Sequence, residues 1–502
     1  MSVIPSRRKS TVNLLVGNQV LFLINIVRNV ALIPVYLRYL DDALFGAWLA
    51  LTSAVAFLWL ADLGLNGLIV QRTGEYYGAK NWQALGQTVV SGLVAVAIFG
   101  LVLCIAASLA LPCVQHWFGV ADHAATAFLW AGSLALLDAL LMLTAATMGA
   151  ILLGFQRPES HIFALALGQI LGIVVTLILL SRGAGVLALG VGMVSGSVLS
   201  FLLTSLGLSR AVKRVLPPGT ARFDGLALGR LLKSSSGLFL ARVARICISR
   251  SSGVIVAVVL SSPLVVVLEV TRKASLVLSD ALSRISMSML PGLSHLRGAG
   301  EKERLSQIAR LQLRTTLQLG VMGAAITLVL NAPFVRLWTG ERLYGGGLLN
   351  ALLCLYALMQ LADVAMYNVI LAAGRIGVVT LAATLESALQ VVLSVAMGMA
   401  WGLEGIVAAS VAASGVGLAV QVRPFCGISN ITPSLLPLLR DGMRFLVMPA
   451  VPGLLALAAM TAWAKPGWFV FCATGTVCAV AGGMLILMEN VVTRRSLRGR
   501  HG

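Results

Sequence analysis

The sequence predicts an all-α polytopic membrane protein of about fourteen transmembrane helices. Two six-helix bundles related by an internal repeat are followed by two extra C-terminal helices. Three observations predict this fold. Hydrophobic residues make up 59% of the 502 residues and charged residues only 11%, whereas soluble proteins carry about 25% charged residues. Apolar stretches of about 18 residues or more recur along the whole chain, and each is long enough to cross a membrane as a helix. Similar segments also recur at a nearly constant offset.

The long apolar stretches predict fourteen helical spans. A chain in lipid must satisfy its own backbone hydrogen bonds, and these stretches lack the period-two alternation of a membrane β-barrel. The first span holds polar residues and is not followed by a small-residue cleavage site, so we expect it to be retained rather than removed as a signal peptide. The predicted spans are 13–37, 44–70, 85–112, 125–152, 161–181, 185–207, 235–260, 264–291, 313–335, 348–373, 377–400, 403–422, 444–463 and 467–488.

The basic residues between the spans predict the orientation. With the N-terminus in the cytoplasm, the cytoplasmic segments hold 25 of the 37 Lys and Arg residues and the outer segments hold five. Because cytoplasmic loops of membrane proteins are enriched in Lys and Arg, both termini are predicted to be cytoplasmic. The net charge of +19 then reflects topology, and we expect no nucleic-acid partner.

Weak similarities at an offset of 217 to 218 residues indicate that one bundle occurs twice. Duplicated halves around a central cavity are a transporter architecture. The matches are FLINIVR (22–28) with FLARVAR (239–245), which aligns Arg28 with Arg245; Asp62 with Asp280; and LLGFQR (152–157) with LAAGR (371–375). The predicted domains are an N-terminal bundle (1–210), a cytoplasmic linker (211–234), a C-terminal bundle (235–425), and two further helices with a basic tail (426–502).

Seven cations and six acids are predicted to lie at membrane depth. A charge there costs about 2.5–3.5 kcal/mol on insertion scales, so each is expected to face protein or water. On a regular helix the five charged residues of span 8 fall within an arc of about 120°, and spans 1, 2 and 7 also carry polar stripes. We therefore predict that these four stripes surround one water-filled cavity of net positive charge between the two bundles.

The intramembrane cations are candidates for binding an anionic substrate, because the planar guanidinium group donates paired hydrogen bonds to phosphate. Structural pairing is the alternative for Glu269 and Asp280, which have cations three or four residues away; the arginines of LARVARICISR (240–250) have no acid nearby on their own span. The candidate substrate-binding residues are Arg28, Arg242, Arg245, Arg250, Arg272, Lys273, Arg284 and Asn25. The candidate coupling or cavity acids are Asp62, Glu269, Asp280, Asp138, Asp363 and Glu386.

Motifs for catalysis, metal binding and nucleotide binding are missing from the sequence. The seven cysteines form no CxxC pair, and the five histidines have neither metal-ligand nor triad spacing. GQILG (168–172) and GMVSG (192–196) lie inside spans, so we interpret them as helix-packing motifs. We predict no enzyme activity, no metal and no cofactor, with coupling to a proton or sodium gradient left open.

The stretch IPVYLRYLDDALFGAWLALTSAVAFLWLADLGLNGLIVQRTGEYYGAK (33–80) resembles the polysaccharide transporter family. This family lies in the multidrug/oligosaccharidyl-lipid/polysaccharide exporter superfamily and includes the Wzx-type O-antigen flippases. The matching elements are PVYLRYL (34–40), FGAWLAL (45–51), ADLGL (61–65) and the pair Arg72–Glu75, with weaker matches at LAAGR and GLEGI (402–406). The resemblance implies alternating access between two bundles, ion coupling, and a cationic lumen to which Arg28 and the span 7 arginines would contribute.

The resemblance implies that the protein translocates undecaprenyl-diphosphate-linked oligosaccharide repeat units across the bacterial inner membrane for surface polysaccharide biosynthesis. The alternatives are a peptidoglycan-precursor lipid flippase and an ion-coupled multidrug exporter of the same superfamily. An exporter of cationic drugs is expected to have an acidic cavity, whereas the predicted one is basic. The expected partners are the lipid-linked oligosaccharide, membrane lipids, and a polysaccharide polymerase with its chain-length regulator.

Overall fold

The computed structural model describes residues 17, 19–429 and 474, and most of these residues are helical. No β-strand occurs among the described residues. Packing divides the chain into two compact units, Met1–Val265 and Val266–Gly502. The predicted all-α membrane fold is confirmed. The last two predicted spans, 444–463 and 467–488, lie outside the described residues apart from residue 474.

The first unit contains seven helices within the part of the chain that the structure describes. Two of them are irregular: α1 includes a π-helical turn at Val27–Ala31, and α7 continues into another at Val256–Leu260. The helices are α1 (Gln19–Tyr39), α2 (Asp42–Gly78), α3 (Trp82–Trp117), α4 (Asp122–Gly154), α5 (Glu159–Ser181), α6 (Leu187–Val215) and α7 (Gly225–Ile255).

Helix α2 is interrupted in its middle, at the sequence ADLGL. It consists of α2a (Asp42–Val55), a 3-10 segment (Ala56–Asp62) and α2b (Leu65–Gly78). Leu63 and Gly64 both adopt left-handed backbone conformations, with φ of 48° and 76°. Such a conformation costs an L-residue about 1–2 kcal/mol, and glycine tolerates it. The single span predicted over 44–70 is therefore divided near its centre.

Small residues bring α5 and α6 into close contact, as predicted for the two GxxxG motifs. A Cβ atom added to Gly168 would lie 2.4 Å from the carbonyl oxygen of Gly196 and 2.0 Å from Ser200 Oγ. The Ser200 hydroxyl donates a hydrogen bond to the carbonyl oxygen of Ala164 across the same interface, at 3.2 Å. Close backbone approach through small residues is a typical way for helices to associate in lipid.

The described part of the second unit contains the helices that follow α7. Helix α8 has three parts: α8a (Ser262–Thr271), which begins in the first unit, α8b (Lys273–Ser288) and α8c (Leu290–Gly298). Next come α9 (Lys302–Trp338) and α10 (Gly347–Ala372). The helical segment Ile376–Ser429 contains non-helical Gly402, at φ 66° and ψ −141°, which divides it into α11 (376–401) and α12 (403–429).

Ten helices of the described chain are long and apolar enough to cross a membrane. The segment Ile376–Ser429 covers predicted spans 11 and 12, which the structure separates at Gly402. Predicted span 8 (264–291) is divided between α8a, α8b and the start of α8c, and α8a is a shorter apolar helix. A multi-pass membrane protein is thus confirmed, while the count of fourteen spans stays a prediction.

One element of the predicted repeat has the same backbone hydrogen bonds in both units. At the end of α4, the amides of residues 155, 156 and 157 donate to the carbonyl oxygens of residues 151, 153 and 152; at the end of α10, residues 373, 374 and 375 donate to 369, 371 and 370. The left-handed position is Gln156 (φ 59°) in the first turn and Gly374 (φ 73°) in the second. Both are Schellman-type helix ends, separated by 218 residues.

The predicted domain boundaries remain a prediction. By packing, α7 belongs to the first unit, where it contacts α2 and α3. Its start is held there by Ser91 of α3, whose hydroxyl bonds to the backbone of Asp224 at 3.0 and 3.1 Å. The proposed repeat instead begins its second copy at residue 235, so the packing boundary and the repeat boundary fall at different places in the chain.

Candidate functional site

An ion pair joins the interruption in α2 to helix α7. The Oδ2 atom of Asp62 contacts the Nη1 atom of Arg242. The Asp62 side chain is 0% exposed, whereas the Arg242 side chain is 34% exposed. Asp62 is therefore buried within the unit, and Arg242 lies partly at the surface of that unit.

The interruption in α2 supplies the second contact of the Asp62 carboxylate. Its Oδ1 atom accepts a hydrogen bond of 2.9 Å from the backbone amide of Asn66, in the first turn of α2b. The N-terminal turn of a helix favours a negative charge because its amides point outward and lack helical partners. Around the pair, Ala61 and Leu65 are buried in an apolar cluster with residues of α3, α4 and α6. Asp62 therefore lies in an apolar environment, held by one guanidinium and one amide.

A second group of polar residues in the first unit involves α1, α4 and α6. The Asp138 side chain lies within electrostatic range of Ser197 and of the Arg28 guanidinium, and the Ser197 hydroxyl donates a hydrogen bond of 3.1 Å to the carbonyl oxygen of Val194 in its own helix. Arg28 is exposed, in the π-helical turn of α1, and Asp138 is partly buried. Asn25 donates a hydrogen bond of 2.9 Å to the carbonyl oxygen of Leu21 in its own helix. The structure thus places Asp138 within electrostatic range of Arg28, while the Asn25 amide bonds within α1.

The other two predicted arginines of α7 lie farther along that helix. Arg245 is partly buried and Arg250 is exposed. Together with Arg242 and Arg28, they make the candidate substrate-binding arginines of the first unit.

In the second unit, Glu269 binds two cations where α8a meets α8b. The Arg272 guanidinium makes a two-pronged contact, with Nε 3.1 Å from Glu269 Oε2 and Nη2 against Oε1. The Lys273 Nζ atom lies 3.7 Å from Oε2. Glu269 and Lys273 are buried and Arg272 is partly buried. The predicted structural alternative for Glu269, pairing with Arg272 and Lys273, is therefore present in the structure.

Asp280 and Arg284 lie in a different environment from the other charged residues of predicted span 8. Both are exposed, on α8b, whereas Glu269 and Lys273 are buried. The arc of about 120° calculated for one regular helix thus does not produce one shared environment. The physical reason is distance along the helix: Glu269 lies on α8a, whereas Asp280 and Arg284 lie about three to four turns farther on, in α8b, so these side chains meet different neighbours.

A polar network that the sequence analysis missed surrounds this junction. The Asn331 side-chain amide of α9 donates to the carbonyl oxygen of Thr271 and to Asn350 Oδ1 of α10, both at 2.8 Å. The amide of Gly345 donates to the Thr271 hydroxyl at 2.9 Å. Most buried polar groups are hydrogen-bonded, and these bonds satisfy the Thr271 carbonyl and the Gly345 amide at the junction of α8a and α8b. Uncharged Asn residues inside apolar spans were the signal that could have revealed it.

The acids predicted for spans 10 and 11 lie in a buried polar region of the second unit. Glu386 Oε1 accepts hydrogen bonds from Gln360 Nε2 at 2.8 Å and from the Ser414 hydroxyl at 2.6 Å. The Gln421 side-chain amide donates to Asp363 Oδ1. Asp363 and Glu386 are 4% and 2% exposed. Sequence reasoning identified the two acids but missed their three uncharged partners.

The described residues contain no group of three or more His, Cys, Asp or Glu side chains able to hold a metal ion. The five cysteines within the described residues are free. Cys354 and Cys426 are buried, Cys104 and Cys247 are partly buried, and Cys113 is exposed.

No protein-family model matches the sequence, and no curated protein matches it either. Solved structures do match the fold. The chain is similar to the lipid II flippase MurJ in an inward closed conformation, with TM-score 0.68, 13% identity, and coverage of 96% of this chain and 99% of that chain. It is also similar to an inward-facing multidrug resistance MATE family transporter of the MOP superfamily, with TM-score 0.69, 14% identity, and coverage of 85% and 100%. A third match is a point mutant of the Vibrio cholerae MATE transporter VcmN, with TM-score 0.57, 14% identity, and coverage of 85% and 97%.

The chain is therefore a multi-pass helical membrane protein with a transporter fold. More specifically, it has the fold shared by the MurJ flippase and the MATE transporters of the MOP superfamily. The likeness is one of fold, and the superfamily indicated by the 33–80 resemblance stays a proposal. The Wzx-type polysaccharide flippase is a finer assignment and is proposed below.

Proposed function

We propose that the protein is a flippase that translocates undecaprenyl-diphosphate-linked oligosaccharide repeat units across the bacterial inner membrane for surface polysaccharide biosynthesis. The observation that carries the proposal is the partly exposed guanidinium of Arg242 beside the interrupted helix α2. The same unit also contains Arg28, Arg245 and Arg250, which lie in predicted spans. Interrupted helices at membrane depth are typical of transporter substrate sites.

The charge at membrane depth favours an anionic substrate. An arginine inside a membrane span is energetically costly, so arginines are rare there and usually belong to a functional site. Guanidinium groups bind phosphate through paired hydrogen bonds, and a diphosphate offers several acceptor oxygens to more than one arginine. The glycan would occupy the predicted water-filled cavity, and the polyprenyl chain would remain in lipid.

The second unit contributes a further basic site in this proposal. One carboxylate, Glu269, faces two cations, Arg272 and Lys273, so this junction carries a net positive charge among its three members. With exposed Arg284, it completes the proposed substrate-binding set. Asp138, Asp280, Asp363 and Glu386 are proposed as coupling or cavity acids for a proton or sodium gradient.

Two alternatives share the fold. A peptidoglycan-precursor lipid flippase is favoured by the likeness to the lipid II flippase MurJ, which extends over 96% of the chain. An ion-coupled multidrug exporter is favoured by the MATE structures, and its expected cavity for cationic drugs would be acidic. Both termini are proposed to be cytoplasmic, and a polysaccharide polymerase with its chain-length regulator are the proposed partners.

The test is deletion of the gene, followed by mass spectrometry of lipid-linked intermediates and analysis of surface glycans. We expect loss of surface polysaccharide and accumulation of diphosphate-linked repeat units on the cytoplasmic leaflet. Complementation with Arg242→Gln should lower transport by about 10–100-fold, because a hydrogen bond to a charged group contributes about 1.5–3 kcal/mol. Arg304→Gln is the matched control, since Arg304 is an exposed arginine paired with Glu301 on the proposed cytoplasmic side.

The other outcomes separate the alternatives. Accumulation of a peptidoglycan precursor together with cell lysis would identify a precursor flippase. Intact glycans with a loss of drug resistance alone would identify an exporter, and the arginines would then be structural partners of the intramembrane acids.

A further inference from the structure

The Asp62–Arg242 pair is asymmetric in its exposure and in its hydrogen bonding. The carboxylate is fully buried and the guanidinium is one-third exposed. Arg242 presents five N–H donors on three nitrogen atoms. Among the described residues, Arg242 forms its ion pair with Asp62, through the Nη1 atom. Donors therefore remain on the exposed side of the guanidinium while its inner side holds the acid.

An ionised carboxylate in an apolar environment is stable only when it is paired or hydrogen-bonded. Asp62 has one ionic contact, with Arg242, and one amide contact, with Asn66. The amide contact belongs to α2b itself, so it persists wherever the Arg242 side chain points. Asp62 can thus lose its guanidinium partner and still keep a hydrogen bond at the positive end of a helix.

We infer that Asp62 is an internal counter-anion, which occupies Arg242 in the empty carrier and is displaced by the diphosphate of the substrate. This inference rests on the proposed function. Binding of the diphosphate draws the guanidinium away from the carboxylate, and Asp62 recaptures it when the substrate leaves. The exchange weakens substrate binding by the free energy of the Asp62–Arg242 contact, and the same free energy promotes release. A carrier needs substrate binding that is weak enough for release, because a site that holds its substrate too tightly does not turn over.

The exchange also links substrate binding to the interruption in α2. Asp62 is the last residue of the 3-10 segment, directly before the left-handed pair Leu63–Gly64. When Arg242 leaves, the tie between α7 and this point of α2 is lost. This contact is then broken only while substrate is bound, so substrate binding and the state of the Asp62–Arg242 contact are coupled.

The experiment measures binding of a polyprenyl diphosphate without sugar to the purified full-length protein in lipid nanodiscs. Asp62→Asn removes the competing charge and keeps the shape, so it should tighten binding by about tenfold, within the usual range of coupling between sites. Asp62→Glu keeps the charge and should bind like the wild type. Arg242→Gln should weaken binding, and adding Asp62→Asn to Arg242→Gln should restore none of the affinity.

The outcomes distinguish this inference from the proposed function. If the wild-type protein does not bind the probe, both are refuted. If binding depends on Arg242 but Asp62→Asn leaves it unchanged or weaker, the diphosphate site stands, and Asp62 is only a structural partner.

A second measurement covers the case in which Asp62→Asn does not fold. Infrared difference spectra of wild-type protein with ¹³C-labelled aspartate should show a carboxylate band that shifts when the probe binds. The shift should persist in Asp138→Asn and disappear in Arg242→Gln. A spectrum without a shift in the wild type, despite probe binding, would overturn the exchange.

Discussion

Two glycines three residues apart in α2 are predicted to respond to alanine with opposite signs. Gly64 has φ 76° at the interruption, and alanine there must adopt a left-handed conformation, at a cost of about 1–2 kcal/mol. Gly67 lies inside α2b, where an added Cβ meets nothing within 4 Å. Alanine there should stabilise the helix by about 0.5–1 kcal/mol. The two variants should therefore differ by about 1.5–3 kcal/mol, the sum of these two effects.

The assay is thermal unfolding of the purified protein in one detergent, with each variant compared to the wild type. Gly64→Ala should lower the midpoint and Gly67→Ala should raise it slightly. Gly64→Asn is a control for side-chain volume, because asparagine tolerates the left-handed region better than alanine does. If both alanine variants were stabilising, α2 would be a continuous helix through residue 64, and the geometry assigned to Asp62 would be refuted.

Three further predictions concern packing and buried polar groups. Gly168→Ala should destabilise the protein by about 1–3 kcal/mol, because the added Cβ would lie 2.4 Å from the Gly196 carbonyl oxygen. Gly377→Ala is the control, because a Cβ added there has no atom within 4 Å. Equal effects of the two variants in thermal unfolding would contradict the close packing of α5 and α6. Gln156→Gly should stabilise by up to about 1 kcal/mol by relieving its left-handed φ of 59°, which comparative melting would measure; a lower midpoint would mean that Gln156 side-chain contacts dominate. Glu386→Ala should lower the midpoint of thermal unfolding, because Gln360 and Ser414 lose their acceptor Oε1, at a cost of about 1–3 kcal/mol each. An unchanged midpoint would show that these two donors find other acceptors.

The sequence predicted some of the local structure, namely two related helix-end turns and one helix-packing contact. The similarity of LLGFQR and LAAGR predicted related turns, and the structure shows the same three hydrogen bonds in both. The GxxxG motifs of α5 and α6 were also interpreted correctly as packing sites. These features depend on short-range backbone geometry and on residue size, so a few residues are enough to specify them.

The interruption in α2 was not predicted, although its residues were noted. Asp62, Leu63 and Gly64 lie in an apolar stretch that hydropathy interprets as one span. Whether the helix continues there depends on whether the Asp62 carboxylate finds partners, and one partner, Arg242, lies 180 residues away in the chain. A contact of such long range leaves no periodic signal near residue 62.

The sequence by itself determined that the chain is helical and apolar enough to span a membrane many times, and that charges occur within its apolar stretches, because hydropathy and charge are properties of single residues. Only the tertiary structure decided which of those charges are neutralised. Arg242 and Asp62 were assigned to separate roles, as a substrate ligand and a cavity acid, and they form one pair. Glu269 holds two cations, and Glu386 is held by a glutamine and a serine. Pairing depends on distances of a few ångströms between helices, and those distances are set by how the helices pack.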